Sequence, residues 1–118
     1  YHVVGSHADN NFKGYEGLLS LSYKNNQIRA TWQIENEELH FGHGIIFSNV
    51  LCLNFSYEVN EAVFHGIVAY EFLSENTISG TWTEQITDSL GMEFGRKLSR
   101  FDQHSDSFQN TTVNETLK

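Results

Sequence analysis

The segment EAVFHGIVAYEFLSENTISGTWTE, residues 61–84, alternates apolar and polar side chains on both sides of a short polar turn. This period of two is typical of β-strands, so the segment predicts two antiparallel strands joined at Ser74-Glu75-Asn76. Each predicted strand carries a glycine on its apolar face, Gly66 in the first and Gly80 in the second. A glycine inside a strand indicates a bend or the close approach of another group. The segment therefore predicts a curved antiparallel sheet.

The same alternation runs through residues 1–100, interrupted at intervals by turn residues. We predict eight strands, near residues 1–6, 14–24, 27–35, 38–48, 50–57, 62–73, 77–85 and 91–100. Asn25-Asn26 predicts a two-residue hairpin turn, because asparagine tolerates a positive φ. The chain contains no proline, as expected where every strand donates backbone hydrogen bonds to its neighbours.

Glycines on apolar faces predict how these strands close. Gly17 shares this position with Gly66 and Gly80. Inward glycines let a sheet bend sharply and leave space inside it. Eight antiparallel strands bent in this way close into a barrel with room for one small ligand. A barrel filled by its own side chains needs the same closure, and that alternative stays open.

One predicted strand, ELHFGHGIIFS at residues 38–48, has two possible facings. Either His40, Gly42, Gly44 and Ile46 face inward, or Phe41, His43, Ile45 and Phe47 do. The paired glycines are also compatible with a bulge that exchanges the two faces midway.

Composition limits the classes of partner. The 118 residues suffice for one domain, and fifteen acidic against seven basic side chains give a net charge of -8. Nucleic acid is not expected as a partner, since phosphate binding depends on clustered Lys and Arg. No apolar run approaches the ~18 residues of a membrane span. The single cysteine, Cys52, excludes an internal disulfide.

The ends of the chain are interpreted separately from the barrel. Residues 101–118, FDQHSDSFQNTTVNETLK, are polar and predict a C-terminal tail after a barrel of residues 1–100. The chain begins at Tyr1 without a recognisable signal peptide, which is compatible with a cleaved or omitted upstream segment. Export to the periplasm or the exterior is favoured over the cytoplasm, and the oligomeric state is left open.

A series of motifs resembles a known family. Y-x-V-x-G begins at Tyr1, Y-x-G-x-L-x-L at Tyr15, G-I-V-A-Y at Gly66, I-S-G-T-W at Ile78 and G-x-E at Gly91. Their order resembles that in small bacterial lipocalin-like (calycin) proteins. The resemblance implies an all-β, eight-stranded antiparallel up-and-down barrel. Such barrels serve in transport, storage, inhibition and occasional catalysis, so it implies the fold more narrowly than the function.

The resemblance also implies a way of closing the barrel. Calycin barrels usually begin with a tryptophan whose ring is covered by an arginine from the last strand, and Tyr1 stands in that place here. The family's terminal L-x-R matches Leu98-Ser99-Arg100, which makes Arg100 the implied partner of Tyr1, with Arg96 as the second choice. The biotin-loop pattern of avidins is not matched by YHVVGSHADNN, so biotin is not expected.

Aromatic residues on the apolar faces predict the lining of a pocket: Tyr15, Trp32, Phe55, Phe64, Tyr70 and Trp82. Rings with a few hydroxyl and indole N–H groups suit a small apolar or amphipathic ligand. No cofactor is predicted. No metal site is predicted either, because His40 and His43 are three apart on a strand and point to opposite faces.

Glu93 distinguishes the functional alternatives. Inside an apolar barrel its pKa would be raised and it could act with a histidine as an acid or base. Outside, it would pair with Lys97, and we favour this outward position. The sequence therefore favours a non-enzymatic binding barrel. A solid partner-binding module and an enzyme that uses Glu93 and a histidine are the alternatives.

Overall fold

The computed structural model describes residues 1–7, 14–35, 38–87 and 90–99. Its strands are β1 (His2–His7), β2 (Gly14–Lys24), β3 (Gln27–Ile34), β4 (Glu38–Phe47), β5 (Val50–Val59), β6 (Ala62–Phe72), β7 (Thr77–Glu84) and β8 (Gly91–Arg96). Each strand pairs antiparallel with the next, and β8 pairs with β1. The prediction of an eight-stranded up-and-down barrel is confirmed. The predicted tail, residues 101–118, lies outside the described residues.

Aliphatic side chains fill one end of the barrel, which we call the closed end. It is the end at which β2, β4, β6 and β8 finish and Tyr1 enters the barrel. The buried aliphatic residues toward this end are Val3, Leu19, Leu21, Ile28, Ala30, Leu51, Leu53 and Ile78. They occupy alternate positions of their strands, so the period of two in the sequence becomes a single apolar interior.

Two hairpin turns explain the tight connections. Asn25 and Asn26 have φ values of 52° and 65°, which confirms the predicted two-residue turn between β2 and β3. Asn60 and Glu61 repeat this geometry between β5 and β6, with φ values of 52° and 71°. Asparagine adopts this left-handed conformation readily, whereas a glutamate there is strained.

The structure decides the facing of β4. His40, Gly42 and Gly44 lie on the inner side, whereas Phe41 and Ile45 are exposed. Pairing with β5 keeps one register from Phe41 opposite Ser56 to Gly44 opposite Leu53, so no bulge exchanges the faces along this pairing. A Cβ on either glycine would collide with a backbone carbonyl of β5. These glycines therefore permit close contact between neighbouring strands.

Tyr1 is part of the barrel, but Arg96 does not cover it. The Tyr1 side chain is buried, and its carbonyl accepts a hydrogen bond of 2.8 Å from the Leu19 N–H. Arg96 is exposed on the outer face of β8, on the same side as Met92 and Phe94. It therefore faces away from the Tyr1 ring, contrary to its place as the second choice for closure. Arg100, the first choice, lies outside the described residues.

Candidate functional site

The half of the barrel opposite the closed end contains a cavity of about 460 Å³. It lies where β1, β3, β5 and β7 finish, which we call the open end. Ligand pockets in proteins commonly measure ~300–1,000 Å³ and combine apolar walls with a few polar groups. This cavity has the size and composition of such a pocket.

Five of the six predicted aromatic residues line the cavity: Tyr15, Trp32, Phe55, Tyr70 and Trp82. Phe64 is not among the lining residues, and its ring stacks on that of Tyr57 with a centroid distance of 5.4 Å. Tyr57 itself lines the cavity, although the sequence-based set left it out. It shares the inward parity of Phe55 on β5, and this signal was available in the sequence.

Glu93 points into the barrel, so its predicted outward position beside Lys97 is wrong. Its side chain is 6% exposed and lines the cavity. The Tyr15 hydroxyl donates to Oε1 and the Tyr70 hydroxyl donates to Oε2, both at 2.5 Å. Behind them, the Trp32 indole N–H donates to the Tyr70 hydroxyl at 2.9 Å. Glu93 is thus held by a buried polar network at the inner wall of the cavity.

The alternation of side chains along β8 explains why the facing of Glu93 was difficult to predict. Gly91, Glu93 and Gly95 occupy the inner positions, while Met92 and Phe94 lie outside with 52% and 44% of their surface exposed. The apolar side chains of this strand therefore face solvent. Taken alone, the strand would be expected to place Met92 and Phe94 inside.

Glycines on either side of Glu93 let the two tyrosines reach it. Across four strand pairs the inner positions run Tyr70, Gly80, Glu93, Gly5 and Tyr15. A Cβ on Gly80 would lie 2.6 Å from a Tyr70 ring carbon, and one on Gly5 would collide with the Tyr15 ring. Each tyrosine ring therefore crosses a glycine to place its hydroxyl on the carboxylate. The same relation holds for Phe55 over Gly66, so aromatic rings fill the space left by Gly5, Gly66 and Gly80, whereas Gly17 meets the β3 backbone and the Ile34 side chain.

Burial governs the ionisation of this network. It raises the pKa of Glu93, and the hydrogen bonds from Tyr15 and Tyr70 oppose that rise in part because they favour the carboxylate. Burial, followed by the charge of Glu93, also raises the pKa of each tyrosine. Both tyrosines therefore remain protonated donors at neutral pH.

Trp82 contributes an unsatisfied polar atom to the same wall. Its ring lies over Gly91 and meets the His7 ring edge-on, with a centroid distance of 4.9 Å. Its buried indole N–H has no hydrogen-bond partner within the described part of the chain. The Trp82 ring lies beside that of Tyr15, with a centroid distance of 6.3 Å, and it opposes in part the burial that raises the pKa of the Tyr15 hydroxyl. A buried donor without an acceptor is costly, so an acceptor supplied from outside would stabilise it.

More carboxylates surround the open end. The Tyr57 hydroxyl donates to Glu84 at 2.6 Å, and burial followed by this bond raises the pKa of Tyr57. His40 Nε2 lies 3.0 Å from Glu38 Oε1, and its ring stacks on Tyr57 at 4.1 Å with an interplanar angle of 11°. Glu35 accepts a backbone N–H across the β2–β3 pair. The rim of the cavity, meaning its part nearest the open end, is therefore acidic. Hydrogen bonds and ring stacking hold its side chains in place.

Over residues 1–7, 14–35, 38–87 and 90–99, no group of three or more His, Cys, Asp or Glu residues is arranged to hold a metal ion. The same ranges contain no helix with the length and apolar character required to cross a membrane. Cys52 and His65 are exposed on the outer surface of the barrel, so they do not contribute to the cavity.

Comparisons with known proteins provide no relative for this chain: no family profile, curated protein or solved structure matches it. The resemblance to lipocalin-like (calycin) proteins thus depends on the motifs in the sequence.

Proposed function

We propose that the chain is a lipocalin-like, non-enzymatic binding barrel that takes a small amphipathic molecule into the cavity at its open end. The observation that supports this most directly is the cavity itself, about 460 Å³ lined by aromatic rings and a few fixed polar groups. A barrel devoted to a solid core would fill that volume, because interiors pack at the density of organic crystals. The partner-binding module with a filled interior is accordingly the weaker alternative.

Uptake of a neutral fluorescent probe, Nile red, tests this function. A neutral probe is preferable to an anionic one, because the cavity wall carries several carboxylates. We expect saturable uptake with one site per chain. Ile34 lines the cavity and is partly buried, so Ile34→Trp should block uptake while the fold is retained. The matched control is Gln33→Trp, one residue earlier on the outer face of the same strand. Equal uptake by both variants, or none by the unmodified protein, would contradict the proposal.

Catalysis by Glu93 is the second candidate function. It is favoured by one observation, the buried carboxylate whose pKa is raised and which faces the cavity. Such a group is suited to accept or donate a proton. Native mass spectrometry of protein from its own host separates the two candidates. A binding barrel retains one unaltered compound, whereas an enzyme converts that compound on incubation and loses the conversion in Glu93→Gln.

A further inference from the structure

The cavity combines negative charge with aromatic walls. Four glutamates line it, namely Glu35, Glu38, Glu84 and Glu93, and none of the described lining residues is a lysine or arginine. The two lining histidines, His7 and His40, lie toward the open end. The whole chain carries a net charge of -8, so its long-range field also attracts cations. A ligand with a positive charge would complement this cavity, and an anionic ligand would be repelled.

Glu93 is the carboxylate in greatest need of a counter-charge. It is 6% exposed, and its hydrogen-bond partners are the neutral hydroxyls of Tyr15 and Tyr70. An ionised carboxylate buried without a cation is costly, even when it accepts hydrogen bonds. Each of its oxygens accepts one tyrosine hydrogen bond and has a further lone pair for another donor. A cationic group placed there would offset the cost of burial.

The aromatic walls suit the rest of such a ligand. Phe55 and Trp82 meet edge to face at 6.2 Å, and Tyr57 stacks on His40 nearer the rim. The faces of aromatic rings attract an organic cation, and the rings also pack against an apolar body. The unpartnered indole N–H of Trp82 is a second sign of an occupant, since an acceptor atom on a ligand would satisfy it.

We propose that the ligand is a small organic amine, whose ammonium group pairs with Glu93 and whose apolar body lies against Phe55, Tyr57 and Trp82. This inference rests on the proposed binding function and specifies its ligand class.

Glu84 has a different role in binding this amine. It lies four residues along β7 from Gly80, the residue opposite Glu93, which separates the two levels by roughly 13 Å. Glu84 therefore attracts the amine at the rim, and Glu93 holds it.

Three probes of nearly equal shape test the inference on the unmodified protein. They are 3-phenylpropylamine, 3-phenylpropan-1-ol and 3-phenylpropionate, titrated by calorimetry at neutral pH and low salt. We expect the amine to bind at least about tenfold more tightly than the alcohol, and the carboxylate to bind more weakly than either. Equal binding of amine and alcohol would overturn the inference and leave the binding barrel intact, provided that Nile red is taken up. If neither Nile red nor any of the three phenylpropyl probes binds, both this inference and the proposed binding function are overturned.

Variants then assign the counter-ion. Glu93→Gln keeps the shape of the side chain and should reduce the preference for the amine over the alcohol to less than about threefold. Glu71→Gln is the matched control, because it removes one negative charge from the exposed outer face of β6. It should retain the full preference. Survival of the preference in Glu93→Gln, or its loss only in Glu84→Gln, would overturn the assignment to Glu93. The comparison of probes on the unmodified protein decides the ligand class without any variant.

Discussion

The Tyr15 hydroxyl lies 2.5 Å from Oε1 of Glu93, although 78 positions separate the two residues in the chain. The contact crosses the closure of the barrel, because Tyr15 lies on β2, Glu93 on β8, and β1 runs between them. Gly5 on β1 leaves the path open. The strand pairing that closes the barrel therefore also brings the residues of the site together.

The tyrosine network should contribute measurably to stability. Tyr70→Phe removes one donor to Glu93 and the acceptor of the Trp32 N–H, so it leaves two buried polar groups under-satisfied. We expect a loss of roughly 2–4 kcal/mol in the free energy of unfolding, measured by urea titration. Tyr57→Phe is the control. It removes a bond to Glu84 at the rim and should cost less than about 1 kcal/mol. Similar losses in both variants would contradict the buried network.

Stability should depend on pH through Glu93. Burial raises its folded pKa above the ordinary value of 4.5, so the folded state keeps a proton that the unfolded state has released. Stability from this group is therefore present at low pH and is lost as pH rises through the folded pKa. Tyr15 and Tyr70 face the carboxylate and remain protonated over this range, and the His7 ring lies beside that of Tyr15 with a centroid distance of 6.0 Å.

The measurement compares the unmodified protein with Glu93→Gln, which has no such titration. The difference in unfolding free energy between the two should shift in favour of the variant as pH rises from about 4. Glu71→Gln, which changes an exposed carboxylate, is expected to show no comparable shift. A difference that stays constant across the range would show that the pKa of Glu93 is not raised.

Adding one carbon between Glu93 and a tyrosine should disrupt the site. In Gly80→Ala the new Cβ would meet the Tyr70 ring at 2.6 Å and the Ala69 carbonyl at 2.9 Å, and a backbone atom cannot move aside easily. We expect a loss of roughly 1–3 kcal/mol, from thermal or urea unfolding. Gly14→Ala is the matched control, with its nearest contact at 3.3 Å, and should change stability by less than about 1 kcal/mol. A neutral Gly80→Ala would disprove this role for the glycine.

The turn between β5 and β6 offers a stabilising substitution. Glu61 has a φ of 71°, which strains a side chain with a Cβ, and it follows Asn60 at a φ of 52°. Glu61→Gly creates the Asn-Gly pair that this turn type prefers, and we expect a gain of roughly 0.5–1 kcal/mol. Glu58→Gly, still within β5, should destabilise the protein instead.

The closure at Tyr1 can be tested by a double-mutant cycle. Because Arg96 faces outward, Tyr1→Ala and Arg96→Ala should be additive in unfolding free energy within about 0.5 kcal/mol. The same cycle with Arg100→Ala tests the closure that the family resemblance implies. A coupling near 1 kcal/mol there would support an arginine over the Tyr1 ring.

Much of the architecture could be predicted from local pattern. Alternating side chains place strands such as β2 within a residue or two of their observed ends, and Asn25-Asn26 has the turn geometry that its residues favour. The row of inward aromatic residues supplied a third of the described residues that line the cavity. These predictions succeed because the period of two and positive φ are properties of neighbouring residues.

Glu93 marks the limit of that reasoning. The sequence determined that β8 is a strand, but a strand has two faces, and a possible pairing of Glu93 with Lys97 favoured the wrong one, whereas Met92 and Phe94 lie on the outer face. Only the pairing of β8 with both β1 and β7 decided the matter, because it set Glu93 between Gly5 and Gly80 and within reach of two tyrosines. The sequence thus determined the barrel and its aromatic interior. The tertiary structure alone placed a carboxylate inside it, because burial and register depend on strands that are distant in the chain.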